Sequence, residues 1–352
     1  MYSLKSHGYL LWTKDVKKWV RAKRAYNLKK SGDLCLKMNR AFSKLKLLLE
    51  RIIYRINGII VHPSFPLSNK GKITLLKIMP GHRSDPALIL TLYGFKMNVD
   101  KVGEGIESHL RLFGTYEKGT LQIMRFILKE GSAFLDGGAN IGFMSLYASK
   151  LVGPQGKVFA FETYPETYNK LLENLGLNTH SDNVQTFQLA LSNEAGPGVI
   201  YEHITPSAGS NSMLASFADH DSTEITQTTL DEIVGPDENV DLIKLDIEGF
   251  EYKAVLGGLK VIERHRPALI IEVNQEISPH EEIDALMTLL QTLGYELFKP
   301  TFHMHKESKI ERVHSRSQLS EFNKLHAFMD KHLASMPRQL QILARSTVNH
   351  ML

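Results

Sequence analysis

The sequence predicts an α/β protein built on a doubly wound, mostly parallel sheet. From Ala133 onward, short runs rich in β-branched and aromatic residues alternate with helical stretches, and glycines cluster where the first run gives way to a helix. Acids stand at the ends of several runs. Strands buried on both faces read as continuous apolar runs and need crossover helices between them, and this is the pattern here.

The elements follow in chain order. Residues 40–57 carry Phe42, Leu45, Leu49, Ile52 and Ile56 at helical spacing with Lys44, Lys46, Arg51 and Arg55 interleaved, and Gly58 ends the run. This is a basic amphipathic helix. Three readings stand for it, docking on its own domain, contact with an anionic membrane surface, or contact with nucleic acid. Pro63, Pro66, Ser68, Asn69 and Gly71 read as a linker. Apolar runs at 74–79, 87–92 and 95–99, parted by Pro-Gly and Tyr-Gly turns, predict an antiparallel entry. A helix at 119–128 precedes the alternation. Strands are then expected at 133–135, 158–161, 184–190, 242–245, 269–271 and 295–298, with 325–329 supplying a final strand, and a polar stretch at 196–222 interrupts the series. The organisation expected is a basic helical N-terminal region at 1–72, a main domain at 73–334 and a basic tail at 335–352.

Charge divides the 352 residues in the same way. Through Lys72 there are 17 basic and three acidic residues, against 25 basic and 35 acidic afterwards. A basic arm suits an anionic partner, while the acidic remainder argues against nucleic acid covering the main body. A single cysteine, Cys35, permits no internal disulfide and no multi-cysteine metal site, which fits a reducing compartment. No apolar stretch is long enough for a membrane span, and the first residues lack a signal-peptide core, so a cytoplasmic protein with peripheral membrane contact at most is expected.

The segment Asp136-Gly137-Gly138-Ala139-Asn140-Ile141-Gly142 lies where the first parallel strand meets a helix. Glycines there let the backbone approach a ligand closely. A Walker loop would need Lys and then Ser or Thr after Gly142, where Phe143 and Met144 stand. The dinucleotide fingerprint fails too, because Ala139 or Asn140 occupies its middle glycine position, depending on the register. A cofactor without phosphate remains, for which strand-end acids are useful. Asp136 is expected to hold a cationic amino group, and Glu162, ending Val158-Phe-Ala-Phe-Glu162, to accept both hydroxyls of a ribose. Amino acid, ribose and adenine together describe S-adenosylmethionine.

These residues, with Phe113-Gly-Thr-Tyr-Glu117, Glu173-Asn-Leu175, Asn183-Val184, Ala190-Leu-Ser192, Thr229-Leu-Asp231, Asp241-Leu-Ile-Lys-Leu-Asp-Ile-Glu-Gly-Phe-Glu251 and Pro267-Ala-Leu-Ile-Ile-Glu272, resemble the FkbM-type methyltransferases in order and spacing. The resemblance runs from about Tyr93 to Met329. One departure is that the family's Asp-Val-Gly is Asp136-Gly137-Gly138 here. It implies a class I, Rossmann-like S-adenosylmethionine-dependent methyltransferase, with a seven-stranded sheet whose last strand is antiparallel. It also implies transfer to oxygen on a sugar, glycan or other small molecule. On this pattern the cofactor-binding candidates are Glu117, Asp136, Gly137, Gly138, Asn140, Gly142, Glu162, Ala190 and Leu191, with Tyr116 and Glu117 placed to close over the cofactor.

Methyl transfer to an alcohol rests mainly on positioning, although the hydroxyl proton must still be lost. Lys244, Asp246, Glu248 and Glu251 crowd the end of the fourth strand, and alternation puts Lys244 and Asp246 on one face. Asp246 is the central catalytic candidate, as proton acceptor or as orienting group, with Glu248 and Glu272 behind it. His203 and His220 in the polar stretch are alternative bases. No ligand spacing marks a metal site, and none is expected. Two other functions remain open: an RNA methyltransferase clamping its substrate with the basic arm, and a nonenzymatic scaffold on the same fold.

Overall fold

The computed structural model describes residues 87–100, 106–201, 213, 222–301, 309–319, 322–328 and 331–332. All of them belong to a unit spanning His82–Leu352. The amphipathic helix expected at 40–57, the linker after it, the strand at 74–79, His203, His220 and the tail at 335–352 lie outside the described residues.

The described chain opens on the expected antiparallel entry, β1 (Ala87–Leu90) paired with β2 (Lys96–Val99). Helix α1 (Ile106–Phe113) follows, then α2 (Lys118–Ile127). The sequence pattern points only to the second, since α1 is eight residues long and buries the polar Glu107, Ser108 and Arg111 beside Leu110.

Next come β3 (Ala133–Gly137), α3 (Phe143–Val152), β4 (Lys157–Phe161), α4 (Pro165–Gly176) and β5 (Val184–Phe187). Three short strands, β6 (Ala190–Leu191), β7 (Gly196–Tyr201) and β8 (Ser222–Thr228), form a separate sheet in the order β6-β8-β7. The single strand expected at 184–190 therefore divides. Its first part pairs with β4, while Ala190 and Leu191 leave the main sheet and pair with β8. The chain continues through α5 (Leu230–Ile233), β9 (Leu242–Leu245), α6 (Glu251–Leu256), α7 (Leu259–His265), β10 (Ala268–Asn274), α8 (His280–Thr292), β11 (Glu296–Thr301), β12 (Lys309–Arg312) and β13 (Phe322–Phe328).

The main sheet has the order β12-β11-β13-β10-β9-β3-β4-β5. Strands β5, β4, β3, β9 and β10 run parallel, and β13, the final strand, is antiparallel to both β10 and β11. The seven strands expected are all present with the last reversed. An eighth, β12, lengthens one edge by pairing with β11, giving eight strands where the sequence pattern suggested seven.

Both faces of the sheet are dry, and the sequence shows why. Alternate residues of each strand go to opposite faces, and nearly all are apolar. Phe134, Val158, Ala160, Leu242 and Ile270 pack on one side with Leu121, Met124, Leu146 and Leu171 of α2 to α4. Leu135, Phe159, Phe161, Ile243, Leu245 and Leu269 pack on the other with residues of α5 to α8 such as Leu230, Val255, Val261 and Leu286. Burying one such side chain contributes roughly 1.5–3 kcal/mol. Buried polar side chains on the sheet include Glu272 of β10 and His326 of β13, and, at 0% and 3% exposure, Asp136 and Lys244. Asp136 and Lys244 sit opposite one another in register, near the carboxyl ends of β3 and β9.

Candidate active site

Strand β3 is flanked by β4 on one side and β9 on the other. Connections leave it in both directions, so a crevice opens outside the carboxyl ends of these three strands. A cleft of about 250 Å³ lies there. Its walls include the turn after β3 (Gly138, Ala139 and Asn140), Glu162 and Thr163 after β4, Ala190 and Leu191 of β6, and Lys244, Asp246, Ile247, Glu248 and Phe250 around the end of β9. Glu272 of β10, Tyr116 and Glu117 before α2, and Met213 complete the part used below.

The glycine turn is drawn tight by its own hydrogen bonds. The amides of Gly138 and Ala139 both donate to the Phe161 carbonyl, at 3.0 and 2.8 Å. The amide of Asn140 donates to Glu162 Oε2 at 2.9 Å, that of Ile141 to Asn140 Oδ1 at 2.8 Å, and that of Gly142 to the Ala139 carbonyl at 2.9 Å. Asn140 itself takes a left-handed conformation, φ 50°, one that asparagine tolerates better than most residues. Gly138 (φ +77°) is required by its neighbour: a Cβ there would stand 1.9 Å from the Asp246 carbonyl oxygen. The turn after β3 and the turn after β9 thus touch through backbone atoms.

Glu162 closes this turn from the side of β4. Besides the Asn140 amide it accepts the Tyr164 amide on Oε1 at 3.0 Å. Burial pushes its carboxyl up to about 7, against the lowering effect of those amides. Asp136, by contrast, is fully buried and absent from the cleft wall. Its Oδ2 accepts the Ser145 hydroxyl of α3 at 2.6 Å, and its Oδ1 lies 3.8 Å from Lys244 Nζ. Burial pushes the Asp136 carboxyl up, opposed first by the Lys244 ammonium and then by Ser145. Asp136, expected to hold a cationic amino group, thus lies off the cleft wall and faces the chain's own Lys244 ammonium. Gly137 and Gly142 also lie off the wall. Gly137 is enclosed by Leu191, Leu245 and the Lys244 carbonyl, and Gly142 abuts Leu171 as it starts α3.

At the end of β9, Lys244 Nζ donates to Asp246 Oδ2 at 3.0 Å. Glu248 takes a left-handed conformation, φ 52°, followed by Gly249 at φ 100°. Glu251, the first residue of α6, turns inward and accepts the amides of Ile247 and Gly249 at 3.0 Å each. Burial pushes the Glu251 carboxyl up to about 7. This acid is a staple for the turn carrying Asp246 and Glu248, a role its place in the sequence did not reveal. Glu272 stands within β10, 9% exposed, rather than at its end. All three catalytic candidates therefore reach one cleft, as do Glu117, Gly138, Asn140, Glu162, Ala190 and Leu191. Thr163, Tyr164, Thr167, Met213 and Phe250 join them unannounced, because nothing in their spacing separates them from ordinary loop and helix residues.

Residues 136–297 match the methyltransferase FkbM domain. That stretch begins at Asp136 and includes both turns and the strands that carry them. This stretch is similar to the FkbM methyltransferases. The chain also resembles the methyltransferase sdnD of Sordaria araneosa, 28% identical over 193 residues, which cover 46% of this chain and 73% of that protein. Among solved structures, a methyltransferase FkbM from Methylobacillus flagellatus KT is 16% identical, with 62% of this chain and 52% of that one covered and a TM-score of 0.37. Aeropyrum pernix fibrillarin, solved with natively bound S-adenosyl-L-methionine, is 13% identical, with 60% and 74% covered and a TM-score of 0.35.

The site fits S-adenosylmethionine on its own chemistry. A dinucleotide's pyrophosphate would need free amides at the glycine turn, yet each amide from Gly138 to Gly142 already has an acceptor within the chain. One of those acceptors is the Glu162 carboxylate, which would repel a phosphate and suits a vicinal diol. Among the described residues no group of three or more His, Cys, Asp or Glu side chains is arranged to hold a metal ion.

Proposed function

We propose that this methyltransferase uses S-adenosylmethionine to methylate a hydroxyl of a sugar, glycan or other small molecule. The observation that carries the reading is the glycine turn, whose amides are satisfied internally with the Glu162 carboxylate among their acceptors, leaving a cradle for an unphosphorylated nucleoside. Bound S-adenosylmethionine supplies a methyl group on a sulfonium, which departs as a neutral thioether and asks for no general acid.

The chain's own residues do the rest. Glu162 and Asn140 hold the ribose side, with Ala190 and Leu191 forming an apolar wall for the base. Tyr116 and Glu117 flank the opening. Asp246, at the rim of the parallel sheet, accepts a hydrogen bond from the acceptor hydroxyl, orients its oxygen and takes the proton as the new carbon–oxygen bond forms. Glu248 and Glu272 bind further hydroxyls of the acceptor. Placing the nucleophile in line is the larger part of the rate acceleration available to such a reaction, of order 7–11 kcal/mol when the geometry is ideal. For the basic arm, contact of residues 40–57 with an anionic membrane surface is the partner proposed; among the described residues no helix is long and apolar enough to cross a membrane.

Calorimetric titration of S-adenosylmethionine tests the cofactor directly. Micromolar binding that is abolished in Glu162→Ala, with no binding of NAD, is the expected result. A folded protein that takes up no S-adenosylmethionine would overturn the reading. Mass spectrometry of a panel of polyols, glycans and amines incubated with enzyme and cofactor then decides between oxygen and nitrogen as the acceptor atom.

A further inference from the structure

Lys244 is the only basic side chain among the described residues that line the cleft, and it is almost entirely enclosed, with 4% of its side chain exposed. An ammonium buried at the centre of a dry sheet is costly unless carboxylates compensate it. Two do so. Asp136 lies across the strand pair in register, its Oδ1 3.8 Å from Nζ, and Asp246 lies two residues on, just past the end of β9, its Oδ2 accepting from Nζ at 3.0 Å. Ser145 on α3 extends the series downward through its 2.6 Å hydrogen bond to Asp136. A connected set of polar groups thus runs from the helix covering the sheet, through two adjacent strands, to the cleft wall.

Packing alone gives no reason for this arrangement. An apolar residue at position 244 would continue the run Leu242, Ile243, Leu245 and, with an apolar residue at 136 as well, would spare the protein two buried charges. The ammonium has a use only if the carboxylate above it must be charged and held still.

We propose that Lys244 is a positioning residue: anchored from beneath by Asp136, it fixes Asp246 at the cleft wall as an ionised carboxylate with one oxygen tied toward the sheet. The proposal rests on the reading of Asp246 as the group that meets the acceptor hydroxyl. A carboxylate anchored in this way is a fixed acceptor that orients the hydroxyl, and it stays charged while surrounded by other acids. Those acids are Asp136 on β3, Glu117 beside α2, Glu248 on the same turn, Glu251 on α6 and Glu272 on β10. Asp136 and Glu251 interact unfavourably with a charged Asp246, and Lys244 is a charge that counters them.

The test follows the Asp246 carboxyl itself. Full-length protein labelled with 13C at aspartate Cγ is titrated by NMR, with Asp246→Asn assigning the resonance. Lys244→Met should raise the midpoint of Asp246 by about 1–3 pH units, the usual influence of an opposite charge at this distance. Lys244→Arg should keep it within about 0.5 unit, since charge is retained. Lys244→Gln repeats the neutral substitution with a polar side chain if the Met variant does not fold. An Asp246 midpoint unmoved in a folded Lys244→Met or Lys244→Gln protein would overturn the proposal. Calorimetry with S-adenosylmethionine on the wild type accompanies the titration. Failure there would sink the cofactor reading alone, because the Asp246 titration needs neither cofactor nor acceptor.

Discussion

Glu162 joins structure to cofactor chemistry most directly, because one carboxylate fastens the glycine turn and faces the cleft. Burial lifts it to about 7, so near neutral pH it is only partly charged. A charged carboxylate accepts both hydroxyls of a diol, whereas a protonated one has given up part of that capacity. Affinity for S-adenosylmethionine should therefore rise with pH, by about tenfold between pH 6 and 8 if only the ionised form binds. Calorimetry across that range checks this, and Glu162→Gln should bind weakly with a flat profile. Gly138 makes a different kind of claim on the same cleft. A methyl group at this position would overlap the Asp246 carbonyl, and φ +77° disfavours any side chain. Gly138→Ala should cost on the order of 2–4 kcal/mol in urea unfolding and weaken cofactor binding at least as severely. A near-wild-type unfolding midpoint would show that the two turns can part without consequence.

The turn from Asp246 to Phe250 carries the proposed catalytic groups Asp246 and Glu248, and Glu251 braces its shape. Its carboxyl holds the Ile247 and Gly249 amides, yet burial pushes it up to about 7. The folded state therefore keeps the Glu251 proton more tightly than the unfolded chain, whose glutamates titrate near 4.3. Stability from this group is complete below that value and is lost as pH rises through about 7, by roughly 3 kcal/mol. Glu162, raised by burial to about 7, acts in the same direction. In Glu251→Gln the fall in unfolding free energy between pH 5 and 7.5 should be visibly shallower, as read from urea midpoints at each pH. Strand-end acids could be found in the sequence because a parallel strand announces its own end. The staple could not, since an inward-facing glutamate at the start of a helix looks the same as one facing solvent. Several other motif residues turn out to be scaffold. Asn174 joins α4 to the Ile141 carbonyl at 2.9 Å and accepts the Asn98 amide of β2 at 2.7 Å. Asp231 caps α7 by accepting the amides of Lys260 and Val261. Lys244 was visible only as one charge among four, because its meaning comes from register with Asp136 across two strands that are distant in sequence.

For the molecule as a whole, the apolar alternation sufficed to place the sheet, while the small sheet β6-β8-β7 and the edge strand β12 escaped it. Both consist of short polar or glycine-containing strands whose pairing is set by tertiary neighbours. The charge division is the other feature of whole-chain extent. The 17 basic residues through Lys72 face only three acids, whereas the remainder carries an excess of acid. Clustered cations near a lipid surface contribute about 1 kcal/mol each and are screened within a Debye length. If residues 40–57 bring the enzyme to an anionic membrane, the full-length protein should co-sediment with phosphatidylserine vesicles at low salt and be released by 0.5 M salt. It should ignore neutral phosphatidylcholine vesicles. Replacing Lys44, Lys46, Arg51 and Arg55 together by glutamate should abolish sedimentation while leaving S-adenosylmethionine affinity in place, because none of the four belongs to the cleft-lining residues described. Sedimentation of that variant equal to the wild type would remove the membrane from the account. Salt-sensitive binding to RNA and not to vesicles would instead assign the arm to nucleic acid, and the acceptor search would move there with it.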